Sequence, residues 1–119
     1  MSACIFCQIV EKQAPATIVF ESSDVLGIVP LDQVTEGHIL LIPKKHSTNI
    51  FDIDAESMRS LAEVVRVFAP QLRDKYQATG INILNANGAD AQQTVFHTHI
   101  HLIPRRPNDG LDLWIKQNL

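Results

Sequence analysis

Three histidines, His97, His99 and His101, alternate with Thr98 and Ile100 in the stretch FHTHIHLIPR, 96–105. Side chains on an extended strand point to opposite faces in turn, so the three imidazoles would share one face and Thr98, Ile100 and Leu102 the other. An imidazole titrates near neutrality and serves as a base, a nucleophile or a metal ligand, so a row of three offers several roles at once. The two remaining histidines, His38 and His46, bracket another apolar run, ILLIP, and Cys4 and Cys7 form a CxxC near the start. The first residues, MSACIFCQIV, lack the basic-then-apolar pattern of a secretory leader, and there a close cysteine pair favours metal or redox chemistry over a structural disulfide. An isolated HxHxH also occurs in metal sites such as those of cupin-like barrels and zinc hydrolases, so spacing alone leaves metal and nucleophile roles open.

Positioning these groups requires a sheet. Residues 17–22 (TIVFES) and 25–31 (VLGIVPL) read as two strands of β-branched character joined as a hairpin, 37–44 (GHILLIPK) as a third, 80–88 (GINILNANG) as a fourth and 94–104 (TVFHTHIHLIP) as a fifth. A short helix is expected over Ile5 to Lys12. From Asp54, a suitable N-cap with Glu56 in the first turn, Met58, Leu61, Ala62, Val65, Ala69, Leu72 and Tyr76 recur at helical spacing and form one apolar stripe. Pro70 removes a backbone donor and predicts a kink or break near Phe68. Strands flanking one long helix without βα alternation predict an antiparallel α+β fold, with an apolar cluster around Trp114 in the tail.

The chain has 119 residues, 45% of them hydrophobic, which suits one domain over 1–119. A formal charge of −3 argues against nucleic acid as a partner, while a locally positive site for a small anion stays compatible with it. No apolar run reaches membrane-span length, so the expectation is a soluble, cytoplasmic protein without membrane contact.

HTHIHLI resembles the signature of the histidine triad (HIT) family of nucleotide hydrolases and transferases. GHILLIPKKH, QTVFH and the N-terminal CIFC agree with the family in the same order, the last with a zinc-binding, bacterial-type branch. The resemblance implies a five-stranded antiparallel HIT-like fold that pairs as a homodimer through its long helix and an edge strand. It implies nucleotidyl transfer with His99 as nucleophile, attacking the α-phosphorus of a nucleoside phosphoramidate or related compound, a purine one above all, to give a covalent intermediate that water releases as a monophosphate. His101, with the loop before it, would stabilise charge on the phosphoryl oxygens, His38 would orient the triad, and Gln93, Thr94 and Asn85 would meet the substrate. It further implies a structural zinc held by Cys4, Cys7, His46 and His97, with no organic cofactor.

Four positions depart from the family pattern, one of them Gln33, where relatives carry a proline. Pro30 stands where relatives carry a ribose-binding Asp or Asn, Gln92 where they carry a glycine before the phosphate loop, and Ala86 where they carry Asn or Gln. A positive φ at Gln92 would be costly. Competing readings are a dinucleoside polyphosphate hydrolase with the same triad, a nucleotide-binding module with little turnover, and a hydrolase with catalytic zinc on the triad itself.

Overall fold

The computed structural model describes residues 3–116. Helix α1 spans Ile5–Val10, and strands β1 (Thr17–Glu21), β2 (Val25–Val29) and β3 (Ile39–Pro43) follow it. Next come helix α2 (Ala55–Lys75), β4 (Gly80–Leu84), one 3-10 turn (Ala89–Ala91) and β5 (Ile100–Arg105). The strands form one antiparallel sheet in the order β1-β2-β3-β5-β4, which leaves β1 and β4 at its edges.

Strand alternation sorts the sheet into two faces. Val25, Ile39, Leu41, Ile100 and Leu102 point to the side covered by α2, where Leu61 and Leu72 complete a core joined by Val64, Val65, Phe68 and Tyr76. Leu26, Ile28, Leu40 and Ile42 point to the other side, where the short α1 covers part of the sheet with Phe6 and Ile9. His101 pairs in register with Leu40 and belongs to this second face. Because α1 spans only six residues, it leaves the histidine end of that face open for chemistry.

Helix α2 starts where Asp54 accepts a hydrogen bond from the Ser57 amide at 2.7 Å, a side-chain cap that satisfies one orphan donor. It runs through Pro70 as one element, so the proline does not break it. Pro70 is on the solvent side, so the Arg66 carbonyl deprived of its donor faces water. The apolar stripe is also rotated from its expected position, since Ala62 is exposed while Val64 and Phe68 pack inward.

Strand β5 is shorter than expected. It begins at Ile100, so His97, in a bend over 95–97, and His99 lie ahead of it and only His101 sits on the strand. The cause lies in the neighbours. β3 ends at Pro43 and the ladder with β4 ends at the Leu84–His101 pair, so 94–99 has no strand on either side. Its backbone bonds instead to the chain just past β3, as when the Thr98 amide donates to the Ser47 carbonyl at 2.8 Å. The tail after Arg105 is anchored by that residue's bidentate pairing with Asp109, but Trp114 and Ile115 are over 70% exposed and form no packed cluster.

Candidate active site and metal centre

Three of the histidine rings, His97, His99 and His38, are each fixed by a backbone group whose hydrogen-bonding role is not negotiable, which dictates which ring nitrogen carries a proton. His97, fully buried, has Nε2 2.8 Å from the Pro43 carbonyl, an acceptor, so Nε2 is the protonated nitrogen and Nδ1 keeps its lone pair. His99 is held the other way round: its Nδ1–H donates to the His97 carbonyl at 2.8 Å and leaves the Nε2 lone pair available. Phe6 from α1 meets both rings edge-on, with centroids 5.8 Å from His97 and 5.2 Å from His99.

His38, buried just before β3, accepts the Val34 amide at Nδ1 at 3.2 Å, so its proton is on Nε2. That Nε2–H lies 2.9 Å from His101 Nδ1 and donates to it, which puts the His101 proton on Nε2. Burial pushes both rings below the ordinary imidazole value. His101 falls to about 4 through burial first and the neighbouring His99 and His38 charges second, and both rings are neutral at physiological pH. The outcome is a lone pair on His99 beside an N–H on His101, their ring centroids 5.2 Å apart.

The loop before the triad is held by Gln93. Its amide is 5% exposed and fully occupied: Nε2 donates to the Thr48 and Val95 carbonyls at 2.7 and 3.0 Å, and Oε1 accepts the Gly88 amide at 2.8 Å and Asn49 Nδ2 at 3.2 Å. This differs from the expected contact with substrate, for which the side chain has no capacity left. Asn85 likewise turns back to the chain, donating to the His99 carbonyl at 3.0 Å and accepting from Asn87. Thr94 is exposed at the loop. Gln92 does adopt positive φ, at 70°, where a glycine would carry no penalty. Pro30 follows β2 directly, beside the exposed Leu31 and Asp32.

Cys4, Cys7, His46 and His97 converge although 93 positions separate the first from the last. His97 Nδ1 lies 3.4 Å from Cys4 Sγ, 3.5 Å from Cys7 Sγ and 3.1 Å from His46 Nδ1, and Cys7 Sγ lies 3.3 Å from His46 Nδ1. Tetrahedral zinc with bonds of about 2.0–2.3 Å needs neighbouring donors roughly 3.3–3.8 Å apart, and a Cys2His2 set is a common structural one. The His97 lone pair, freed by the Pro43 carbonyl, faces the cluster. These residues fit zinc.

A HIT domain model matches residues 11–108. The chain belongs to the HIT-domain family. It is 41% identical over 102 residues to Protein hit of Bacillus subtilis, covering 86% of this chain and 70% of that one. A Zn-bound histidine triad family protein of Mycobacterium smegmatis superposes with a TM-score of 0.88 at 38% identity, covering 98% of this chain and 84% of the other. The chain is also 31% identical over 116 residues to Adenylylsulfatase HINT3 of Arabidopsis thaliana, spanning 98% of this chain and 58% of that longer protein. The zinc-bound relative agrees with the Cys–His cluster.

Several members of the site escape sequence reasoning: Phe6, Ser47, Asn49 and the Val34 amide. Phe6 had a signal, a large aromatic between two candidate ligands. Ser47, whose hydroxyl meets Thr98 Oγ1 at 2.7 Å, and Asn49 had none, because both act through partners more than 40 positions away.

Proposed function

We propose that this chain, as a single HIT domain over 1–119, cleaves nucleoside phosphoramidates or related nucleotidyl compounds at the α-phosphorus. The observation that carries the reading is the His99 Nδ1–H donated to the His97 carbonyl at 2.8 Å, which leaves the Nε2 lone pair to act as nucleophile. In the first step the Nε2–P bond forms while the bond from phosphorus to the leaving nitrogen or oxygen breaks; the imidazole becomes a cationic phosphoimidazolium, and the leaving group takes its proton from solvent. In the second, water attacks phosphorus, the Nε2–P bond breaks, and a nucleoside monophosphate leaves. His101, a fixed N–H donor, stabilises charge on the phosphoryl oxygens, and His38 orients it.

Thr94 is the member of the loop that faces substrate, while Gln93 and Asn85 serve by holding the backbone around it. Cys4, Cys7, His46 and His97 hold a structural zinc, which ties α1 to the triad segment. Because His97 is spent on the metal and His99 turns its free nitrogen elsewhere, catalytic zinc on the triad itself is disfavoured. The adenylylsulfatase name of one relative supports a nucleotidyl substrate and a purine base. Pairing of two copies through the unpaired edge of β4 and through α2 completes the reading, with cytoplasmic residence; among the described residues no helix is long and apolar enough to cross a membrane.

Chromatographic assay of monophosphate release from adenosine and guanosine phosphoramidates and a dinucleoside polyphosphate tests the proposal. The expected result is release from at least one of them and its loss in a folded His99→Ala variant. Release that survives the substitution contradicts it. Binding of nucleotide without release would favour a binding module, the reading that the altered Pro30 and Gln92 positions support.

A further inference from the structure

The proton on His101 is set by a backbone amide outside the triad, and that amide sits in a loop held at both ends. Between β2 and β3 the chain wraps His38. Its amide donates to the Thr35 carbonyl at 3.2 Å, its carbonyl accepts from Gln33 Nε2 at 3.3 Å, and its Nδ1 accepts from the Val34 amide at 3.2 Å. Only the last contact selects a tautomer, because an amide cannot accept.

Two side chains fasten the loop in the shape that aims this amide. The Thr35 hydroxyl, buried, donates to the Pro104 carbonyl on β5 at 2.8 Å. Arg106, just past β5, donates through Nη2 to the Glu36 carbonyl at 2.7 Å and through Nη1 to the Tyr76 carbonyl at 3.1 Å, so one guanidinium ties the loop to the C-terminus of α2. Gly37 closes the arrangement with φ +92°, lying so near the Tyr76 ring that a Cβ would come within 2.6 Å of it. The loop therefore has little room to move against α2.

We infer that Thr35 and Arg106 are positioning residues that hold loop 33–37 so that the Val34 amide fixes the tautomer of His38 and, through it, of His101. Released, His38 is free to turn or to carry its proton on Nδ1. Nε2 would then be an acceptor, His101 would donate to it from Nδ1, and the His101 nitrogen facing the open side would lose its hydrogen. One loosened loop bond thus converts a donor at the reacting centre into an acceptor. The placement of protons is a property of the chain alone; its catalytic consequence rests on the nucleotidyl-transfer reading above.

The test is long-range 1H–15N correlation of histidine-labelled protein at about pH 7.5, where buried neutral rings persist. It uses the wild type, Thr35→Val, Thr35→Ser and Arg106→Gln, with kcat and KM measured in parallel. The wild type is expected to show His38 and His101 both protonated on Nε2. Thr35→Val and Arg106→Gln should mix the two forms and lower kcat about tenfold with KM little changed, since the lost donor acts on charge that develops in the transition state. Thr35→Ser, which keeps the hydroxyl, should restore both readouts. An Nδ1–H form or an even mixture for His101 in the wild type overturns the inference, and so do unchanged tautomers in both loosened variants. If Thr35→Val does not fold, Arg106→Gln with its more accessible side chain carries the comparison. Tautomers that respond as expected in a protein that turns over no nucleotide uphold the latch and sink the nucleotidyl reading.

Discussion

Replacing Gln93 with Met should unfold the loop before the triad more readily than any exposed change nearby, because the swap keeps volume and removes every polar atom. Four partners lose their bond: the Gly88 amide, Asn49 Nδ2, and the Thr48 and Val95 carbonyls. A hydrogen bond contributes about 0.5–1.5 kcal/mol net, and a buried group left unsatisfied costs about 1–3 kcal/mol. Water reaches some of the partners, since the Thr48 and Gly88 residues are only half-buried, so the sum falls at roughly 2–4 kcal/mol. For a chain of this size that lowers Tm by roughly 8–15 °C. Urea denaturation of Gln93→Met beside Thr94→Ala measures it, with the exposed Thr94 expected to change stability by under about 0.5 kcal/mol. A loss below about 1 kcal/mol for Gln93→Met would refute the view that this amide staples three segments together.

Gln92→Gly should stabilise the fold by up to about 1 kcal/mol, because a left-handed residue with a Cβ costs about 1–2 kcal/mol and glycine returns part of that gain as unfolded-state entropy; denaturation midpoints check it, and a destabilised variant contradicts the strain at φ 70°. Cys4→Ser or Cys7→Ser should abolish zinc retained through desalting, read by elemental analysis, whereas His99→Ala should leave it intact; zinc lost equally from all three would place the metal on the triad. Stability should fall on acidification: buried His38 and His101 bind protons less readily folded than unfolded, so their contribution is complete above the unfolded value of about 6.5 and is lost as pH falls through it towards the His101 value of about 4. Denaturation at a series of pH values should show that slope, reduced in His101→Gln; a flat profile between neutral pH and the lower value contradicts it.

Much of this architecture is legible in the chain because its signals are local. β-branched runs mark the strands, a three-to-four spacing marks α2, and Asp54 caps that helix as its position suggests. The metal cluster was within reach only through the resemblance, since nothing in the spacing of Cys4, Cys7, His46 and His97 says that they meet. What stayed hidden depends on neighbours distant in sequence. The start of β5 is set by where β3 stops at Pro43, so an alternating pattern overstated the strand. The tautomers are set by the Pro43 carbonyl and the Val34 amide, groups every residue carries and no motif records. The structural task of Gln93 is hidden for a related reason: a polar residue in a phosphate-type loop suggests contact with ligand, while its burial with four partners depends on segments distant in sequence.

The central claim is that His99 Nε2 becomes bonded to phosphorus during turnover. Intact-protein mass spectrometry after brief mixing with an adenosine or guanosine phosphoramidate tests it most directly. The account predicts a mass increase of one nucleotidyl group that is labile to acid, maps to His99 and is absent from His99→Ala. Monophosphate release from folded protein with no adduct at any mixing time, or an adduct on a different residue, would contradict it.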